Sequence, residues 1–393
     1  MNDQSAQPRH WLGFALIVSG TILGIAGTDL VLPAIPLLPE ALDGDIATAQ
    51  LVLASFVAGA AAGLLLFGAL GARYDQRHLL TASLAAYAAI SLLAMAAPSI
   101  EALITLRFLQ GAAGAAAAVF APGIIRAMFG DARAISALGF LGSVESLTPA
   151  FAPIVGVALV AAFGWTSSFA AIALLSALLA VAVWFLRHHL PRVVTPPGSG
   201  GYADLLRDAT FLRYCLSQAF TLGALLVIVF GAPSVFVNAL GGTMADFVTM
   251  QLIGIGTFVV AANLAGRLAN RYGAERMVMF GTLVAAAGTL LLLAYALAGG
   301  TTPLAVAALF VPVNVGLGLR GPAGFHCAIL AARGDDARGA ALVIVAILLT
   351  TALGTAAVAP FIAQGLLPLT IGAAAPAVTA VILLVTLPPL AER

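Results

Sequence analysis

The amino-acid sequence predicts an all-α membrane protein with twelve transmembrane helices in two pseudo-symmetric six-helix bundles. Of its 393 residues, 62% are hydrophobic and only 8% are charged, whereas a soluble domain carries about 25% charged residues. Apolar runs of about 18 or more residues recur along the chain, and each can cross a hydrocarbon core of ~30 Å as a helix. The alternating runs of about ten residues that are typical of membrane barrel strands are absent from the sequence.

The predicted spans follow the apolar runs in chain order. They cover residues 11–33, 46–70, 78–97, 101–124, 134–160, 165–186, 211–236, 246–268, 275–298, 303–328, 338–362 and 366–388. All 17 basic residues are arginines. Arg107 and Arg320 fall inside predicted spans. The other arginines lie toward the two ends of the chain, such as Arg9 and Arg393, or in and beside the even-numbered loops. Because arginine-rich loops stay in the cytoplasm, this pattern predicts that both termini are cytoplasmic.

One long polar segment, rich in proline and glycine, interrupts the apolar runs. It predicts an N-terminal bundle, a cytoplasmic linker and a C-terminal bundle over residues 1–186, 187–210 and 211–393. The two halves share a repeat, because Arg73-Tyr74 after the second span recurs as Arg271-Tyr272 after the eighth. Parallel repeats with a substrate site between them are typical of one class of transporters.

A few ionisable residues fall inside the predicted spans, namely Asp29, Arg107, Glu145, Arg320 and His326. A lone charge at the bilayer centre costs ~2.5–3.5 kcal/mol on insertion scales, so the charged groups are expected to face a cavity or one another. Counted from the flanking arginines at 1.5 Å per residue, Asp29 and Arg107 both lie ~30 Å from the cytoplasmic surface. Glu145 and Arg320 both lie ~18–20 Å from it. Equal depth permits each pair to form.

These charges have functional and structural interpretations. Asp29 either binds and releases a proton as Arg107 approaches and departs, or forms a fixed ion pair that locks two helices together. Glu145 is either a second proton site, or a counter-charge for a cationic substrate, or a hydrogen-bonded carboxyl group. Arg320 either binds substrate or neutralises Glu145. His326 is interpreted as a packing residue.

Several short motifs occur in order along the chain. They are Asp29-x-x-x-Pro33-x-x-Pro36, GALGARYDQR (68–77), Arg107-x-x-Gln110-Gly111, TPAFAPIVG (148–156) and GWTSSF (164–169). Together they resemble the motifs of the major facilitator superfamily. The pattern is most similar to the bicyclomycin/chloramphenicol-resistance branch of its twelve-helix drug/proton antiporters. The resemblance covers nearly the whole chain and implies the major facilitator fold.

The motif after the second span departs from the family pattern. The family reads Gly-x-x-x-Asp-Arg-x-Gly-Arg-Arg at this point. This chain keeps Gly68, Arg73 and Arg77, but has Ala72 in place of the aspartate and Asp75 in place of the second glycine. The resemblance implies a charge relay that holds a cytoplasmic gate, and Asp75 is the candidate to supply the missing carboxylate.

The residues and the resemblance together predict three groups of site residues. The proton-coupling group is Asp29, Arg107 and Glu145. The substrate cavity contains these three together with Gln110, Arg320 and Phe230. The gating residues lie in the second-loop motif and in the fifth helix, and are Gly68, Arg73, Asp75, Arg77, Pro149, Pro153 and Gly156. The two prolines remove backbone donors and can kink the fifth helix.

The sequence therefore predicts a secondary active transporter, namely a proton-coupled antiporter that exports amphipathic drug-like or small organic compounds by alternating access. The alternative is a proton-coupled importer or exporter of one physiological metabolite. An enzyme is not favoured, because the chain has no HExxH pair, phosphate loop or nucleophile motif. The GLGLRG stretch at 316–321 matches a dinucleotide-binding pattern in letters alone, since no strand precedes it.

The expected partners are a small-molecule substrate, protons and the lipid bilayer. No metal, cofactor or nucleic acid is expected, and the protein is expected to act as a monomer in the bacterial cytoplasmic (inner) membrane, which it crosses many times. Cys215 and Cys327 lie toward the cytoplasmic side, where thiols stay reduced, so no disulfide is predicted.

Overall fold

The computed structural model is all-helical over the residues that it describes, which are 7–44, 46–193 and 200–390. Its α-helices are α1 (Gln7–Asp29), α2 (Leu38–Ala41), α3 (Ile46–Gly71), α4 (Gln76–Met95), α5 (Ile100–Gly114), α6 (Ala116–Phe163), α7 (Ser167–Leu186), α8 (Tyr202–Leu205), α9 (Ala209–Asn238), α10 (Met244–Tyr272), α11 (Ala274–Leu297), α12 (Pro303–Ala331), α13 (Asp336–Val358) and α14 (Leu366–Thr386). Short 3-10 turns occupy Leu32–Leu37, Arg187–His189 and Ala359–Gln364. Arg393 and residues 194–199 of the predicted linker lie outside the described residues.

Within these ranges, eleven helical stretches are long and apolar enough to cross a membrane. One of them, Ile100–Phe163, runs for 64 residues, which is about three times the length needed to cross ~30 Å of hydrocarbon. Its backbone leaves helical geometry at Gly130, where φ is 67° and ψ is 166°. Glycine alone adopts this combination readily. The break falls between the predicted spans 101–124 and 134–160. This explains why a single long helical stretch covers two predicted spans.

Polar residues in the loops cap several of the helices. The side chain of Asp75 accepts a hydrogen bond from the N–H of Arg77 at the start of α4, and Ser99 accepts one from Ala102 at the start of α5. Thr243 opens α10 in the same way. These caps satisfy backbone donors that have no partner inside a helix.

The described residues pack as two compact units. The first contains the described parts of 1–130, 144–199 and 334–341, and the second contains the described parts of 131–143, 200–333 and 342–393. The predicted halves place 131–143 in the N-terminal bundle and 334–341 in the C-terminal bundle, so these two short segments are exchanged in the structure.

In the first unit, glycines allow α3 and α5 to approach closely. A Cβ atom on Gly59 would collide with the backbone of Phe108, and one on Gly63 would collide with the backbone of Ala112. Gly111 faces the carbonyl of Phe56 in the same contact. The Gly-x-x-x-Gly spacing of α3 therefore serves helix packing, as is common in membranes.

In the second unit, residues 131–143 pack against α10. A Cβ atom on Gly139 would collide with the carbonyl of Ala262. Asn263 donates from Nδ2 to Ser143 Oγ at 2.8 Å. A small residue and a polar contact thus join the first part of the fifth predicted span to α10.

The core of the second unit consists of two apolar clusters. One is built around Phe236 and Phe310, and the other contains Phe211. Cys215 and Cys327 are buried in the second cluster as free thiols.

The close contact between α3 and α5 can be tested with Gly59→Ala. The added methyl group would meet backbone atoms that cannot move aside, so a loss of about 1–3 kcal/mol of stability is expected, as for other overpacked cores. The measurement is thermal unfolding of the purified protein in detergent. Gly256→Ala in α10 is the matched control, because no atom lies within 4 Å of its added Cβ. Alanine there is expected to stabilise the helix by roughly 0.5–1 kcal/mol. Equal melting temperatures for the two variants would contradict the packing described above.

Candidate functional site

The first helix loses its regular hydrogen bonds around Asp29. The α1 helix ends at this residue. Two residues later, the N–H of Val31 bonds to the carbonyl of Thr28 at 3.2 Å, whereas a regular α-helix would place that bond on Gly27. The carbonyl of Gly27 is therefore released from the helix and needs a donor from elsewhere.

The carbonyl of Leu30 is released for a different reason. Its possible donors are the N–H groups three and four residues further along the chain. Pro33 has no N–H, and the N–H of Ala34 bonds to Val31 at 2.9 Å. Two carbonyls, one before and one after Asp29 in the sequence, thus lack a hydrogen-bond donor within their own segment.

Arg107 supplies the donor for the first of these carbonyls. Its Nη1 donates to the Gly27 carbonyl at 3.1 Å, and its Nε donates to the Val52 carbonyl at 3.3 Å. The guanidinium carbon lies 4.1 Å from the centroid of the Phe56 ring. Arg107 is fully buried, so carbonyl dipoles and an aromatic face stabilise a cation inside the apolar region.

Gln110 extends this contact into a hydrogen-bonded chain. It accepts a bond from Arg107 Nη1 at 2.6 Å and donates from Nε2 to Ser91 Oγ, also at 2.6 Å. Ser91 in turn donates to the carbonyl of Tyr87 at 2.6 Å. The Arg-x-x-Gln motif therefore joins α5 to α4, and within the described part of the chain Arg107 Nη2 has no hydrogen-bond partner.

The pairing predicted for Asp29 and Arg107 takes another form in the structure. The guanidinium binds the backbone two residues before Asp29. Among the described residues, the side chains of Asp29 and Arg107 do not take part in any ion pair with a nitrogen–oxygen distance up to 4.0 Å. The pairing of the two side chains stays a prediction. The sequence estimate did not include the Gly27 carbonyl as an acceptor for Arg107, because the release of this carbonyl depends on the residue at which α1 ends.

Glu145 also contacts the first helix. It lies on α6 in the first unit, where its carboxyl group is close to the side chain of Thr21. Thr21 is buried, and its hydroxyl donates to the carbonyl of Val18 at 3.0 Å. Two of the three residues predicted for proton coupling, Glu145 and Arg107, therefore contact α1, which carries the third.

The remaining cavity candidates belong to the second unit. Arg320 is fully buried on α12 and donates from Nη1 to the Ser217 carbonyl at 3.0 Å and to Gln218 Oε1 at 2.8 Å. Arg320 Nη2 donates to Ser217 Oγ at 3.0 Å. Phe230 on α9 is 59% exposed. Arg320 and Glu145 each have hydrogen-bond partners within their own unit, and the pair predicted between them stays a prediction.

The fifth-helix motif meets the segment that follows Asp29. A Cβ atom on Gly156 would lie 2.6 Å from the carbonyl oxygen of Leu30 and 3.1 Å from a ring carbon of Pro33. Glycine at 156 therefore makes room for the segment in which α1 gives way to the 3-10 turn. The structure brings together two motifs that are far apart in the sequence.

The prolines of that motif lie inside α6. The non-helical dihedral angles within this helix fall at Gly130, and the backbone stays helical through Pro149 and Pro153. The gating role predicted for these two residues stays a prediction.

The second-loop motif forms a charge cluster at the start of α4. Asp75 Oδ2 is 2.7 Å from Arg77 Nη2 and 3.2 Å from Arg192 Nε. The Arg77 guanidinium hydrogen-bonded to Asp75 holds the pKa of this carboxyl well below its usual range. Gly68 is buried and Arg73 is exposed. Asp75 thus serves as a helix cap and as an ion-pair partner for Arg77 on its own loop and for Arg192 after α7.

An ion pair that was not predicted joins two distant parts of the chain. Arg126 Nη2 is 2.8 Å from Asp336 Oδ2, and the residues are 210 positions apart. A Cβ atom on Gly123 would lie 3.0 Å from the Cβ of Asp336. Asp336 is buried.

His326, interpreted as a packing residue, is also buried, and its Nε2 lies 3.8 Å from Asp131 Oδ1.

These observations define the class of protein. Apolar helices that carry buried, hydrogen-bonded charges are the architecture of a membrane transporter. The sequence pattern of the Major Facilitator Superfamily matches residues 17–359, and the chain belongs to this family. It is therefore a multi-pass membrane protein from a family of transporters.

Relatives of the chain include drug-resistance proteins. The chloramphenicol resistance protein of Pseudomonas aeruginosa is 27% identical over 276 residues, which are 69% of this chain and 65% of that protein. The chain thus spans slightly less than two thirds of the length of that relative. The bicyclomycin resistance protein homolog of Haemophilus influenzae is 26% identical over 292 residues, which are 72% of this chain and 73% of that protein.

A solved structure supports the fold. The fucose:proton symporter of E. coli superposes with a TM-score of 0.72 at 15% sequence identity. The match covers 94% of this chain and 97% of that one. At this identity the similarity establishes the fold alone.

The Asp75–Arg77 pair can be tested with Asp75→Asn, which removes the charge but keeps a good helix cap. A carboxyl with a lowered pKa stabilises the fold above its ordinary pKa and loses that contribution as the pH falls toward its folded value. The variant is therefore expected to be less stable than the parent by about 0.5–1 kcal/mol near pH 7, with the difference shrinking below ~pH 4. Thermal unfolding in detergent across this pH range measures the effect.

Arg77→Gln and the double variant complete the cycle. The double variant is expected to lose less than the sum of the two single losses. A difference between parent and Asp75→Asn that stays constant from pH 7 to ~pH 3 would argue against the ion pair.

Proposed function

We propose that the protein is a proton-coupled antiporter that exports amphipathic drug-like or small organic compounds by alternating access. The observation that carries this proposal is the position of Asp29. It is a half-buried carboxyl group on the last residue of a membrane helix, with a fully buried guanidinium bound to the backbone two residues away. The names of the two drug-resistance relatives support the substrate class.

The chemistry of proton coupling follows from this arrangement. A carboxyl group in a site open to one side of the membrane can take up a proton there and release it on the other side. A guanidinium close to the carboxylate favours its charged form, and removal of the guanidinium favours the protonated form. Small movements of Arg107 relative to Asp29 are therefore sufficient to switch proton affinity. The membrane potential adds ~2.3 kcal/mol per charge for each 100 mV.

The topology and location are part of the same proposal. The distribution of arginines supports twelve spans with both termini in the cytoplasm. The bacterial relatives support a location in the cytoplasmic (inner) membrane. We take the transport unit to be a monomer whose partners are the substrate, protons and lipid.

Asp29→Asn tests the proton role. The variant cannot carry a proton on this side chain, so chloramphenicol-driven proton release is expected to fall to the background level while chloramphenicol still binds. The assay uses everted membrane vesicles from cells that lack their main exporters, with a pH-sensitive dye inside. Asp246→Asn is the matched control, because Asp246 lies exposed in the capping box at the start of α10.

Two results would overturn the proposal in different ways. Parental proton release by Asp29→Asn would remove Asp29 from the coupling mechanism. A parent that ignores chloramphenicol and related compounds, but accumulates one metabolite in vesicles of native orientation, would support the alternative of a metabolite transporter.

We further propose that the Arg126–Asp336 ion pair belongs to the gate at the cytoplasmic end. It joins α6 to the first residue of α13 at a level where the family carboxylate is missing, since residue 72 is alanine. Alternating access requires contacts that form in one state and break in another. A partly buried ion pair provides such a contact, because its strength depends on exclusion of water.

A double-mutant cycle with Arg126→Gln and Asp336→Asn tests the gate. Each single variant is expected to lower the chloramphenicol transport rate several-fold, because it leaves a partly buried charge unpaired. The double variant is expected to recover part of this loss, with a coupling energy of ~0.5–3 kcal/mol. Arg333→Gln is the control, since the Arg333–Asp208 pair is formed by an exposed arginine. Strictly additive losses would exclude the pair from the gate.

A further inference from the structure

Besides Arg107, a second side chain binds the backbone at the end of α1, at a carbonyl that follows Asp29 in the sequence. Ser168 lies in the first turn of α7 and is fully buried. Its hydroxyl donates to the carbonyl of Leu30 at 2.8 Å, across 138 residues of sequence. The contact lies within the first unit.

This hydrogen bond answers a definite need of the backbone. The Leu30 carbonyl has no donor from its own segment, because Pro33 lacks an N–H and the N–H of Ala34 bonds to Val31. A carbonyl without a donor is strongly unfavourable in an apolar membrane interior. The hydroxyl of Ser168 supplies the donor that this carbonyl lacks where α1 gives way to the 3-10 turn.

Together with Arg107, this bond brackets Asp29. Arg107 binds the carbonyl two residues before it, and Ser168 binds the carbonyl one residue after it. Gly156 packs against the same Leu30 carbonyl. The backbone of Asp29 is thus fixed from both directions by side chains of other helices.

We propose that Ser168 is a positioning residue for Asp29, holding the C-terminal end of α1 so that the carboxyl group exchanges protons from a defined place. This inference rests on the proposed function of Asp29 as the proton carrier. Among the described residues, Arg107 from α5 and Tyr87 from α4 are the charged or titratable side chains that contact α1 near Asp29, and Glu145 from α6 lies beside Thr21, two turns earlier. Ser168 adds no charge, so its effect is exerted through geometry.

Ser168→Ala tests the inference, with Ser176→Ala as the matched control. Ser176 is on the same helix and is equally buried, but its hydroxyl donates to the carbonyl of Ile172 in its own helix at 2.6 Å. Both variants lose one buried hydroxyl from α7. The contact with α1 is affected in Ser168→Ala alone.

Two readouts separate positioning from general destabilisation. The first is the protonation midpoint of Asp29, followed by infrared difference spectroscopy and assigned by the band that disappears in Asp29→Asn. The second is the pH profile of chloramphenicol-driven proton release. Ser168→Ala is expected to shift both midpoints by about 0.5 pH unit or more, and Ser176→Ala is expected to leave both at the parental values. Ser168→Cys, which keeps the size and a weak donor, provides an intermediate if the alanine variant does not fold.

The outcomes distinguish this inference from the proposed function. Parental midpoints in both Ser168 variants, or equal shifts in Ser168→Ala and Ser176→Ala, would overturn the positioning role even if Asp29→Asn abolishes coupling. If Asp29→Asn transports normally, the proposed function fails, while the infrared shift still reports whether Ser168 positions the carboxyl group.

Discussion

The structure around the candidate site depends on one constraint, which is that backbone carbonyls in an apolar membrane interior must find donors. Where α1 stops being a regular helix, the carbonyls of Gly27 and Leu30 lose their own donors. Arg107 and Ser168 replace them. The chain can therefore pass from α-helical to 3-10 hydrogen bonding just after Asp29 because two other helices supply the missing hydrogen bonds. The titratable carboxyl group is thus carried by the last residue of α1.

The same constraint explains how a cation is kept inside the membrane. Arg107 is surrounded by carbonyl oxygens, the amide of Gln110 and the face of Phe56. These neutral partners stabilise the guanidinium without a carboxylate as its ion-pair partner. Arg320 is held in a similar way by Ser217 and Gln218. A cation that is not neutralised by a fixed acid keeps its field available for a titrating group or a substrate.

The sequence was sufficient for an all-helical membrane protein, because long apolar runs define spans without knowledge of contacts. It also led to the estimate that Asp29 and Arg107 lie at the same depth, and Arg107 binds the backbone two residues before Asp29. It could not assign the partner of Arg107, since that depends on the azimuth of each helix and on the residue at which α1 ends. The Arg126–Asp336 pair was out of reach for a related reason, because its members are 210 residues apart. The role of Ser168 becomes visible once the Leu30 carbonyl is known to lack a donor.

The departure at residue 72 illustrates how charge can be redistributed within a family motif. Moving the carboxylate from 72 to 75 places it at the start of α4, where the helix N-terminus and two arginines hold it. Asp75 thus pairs with one arginine on its own loop and with another after α7. A separate ion pair joins Asp336, at the start of α13, to Arg126. In the gate that we propose, the acid is therefore supplied by a part of the chain outside the second-loop motif.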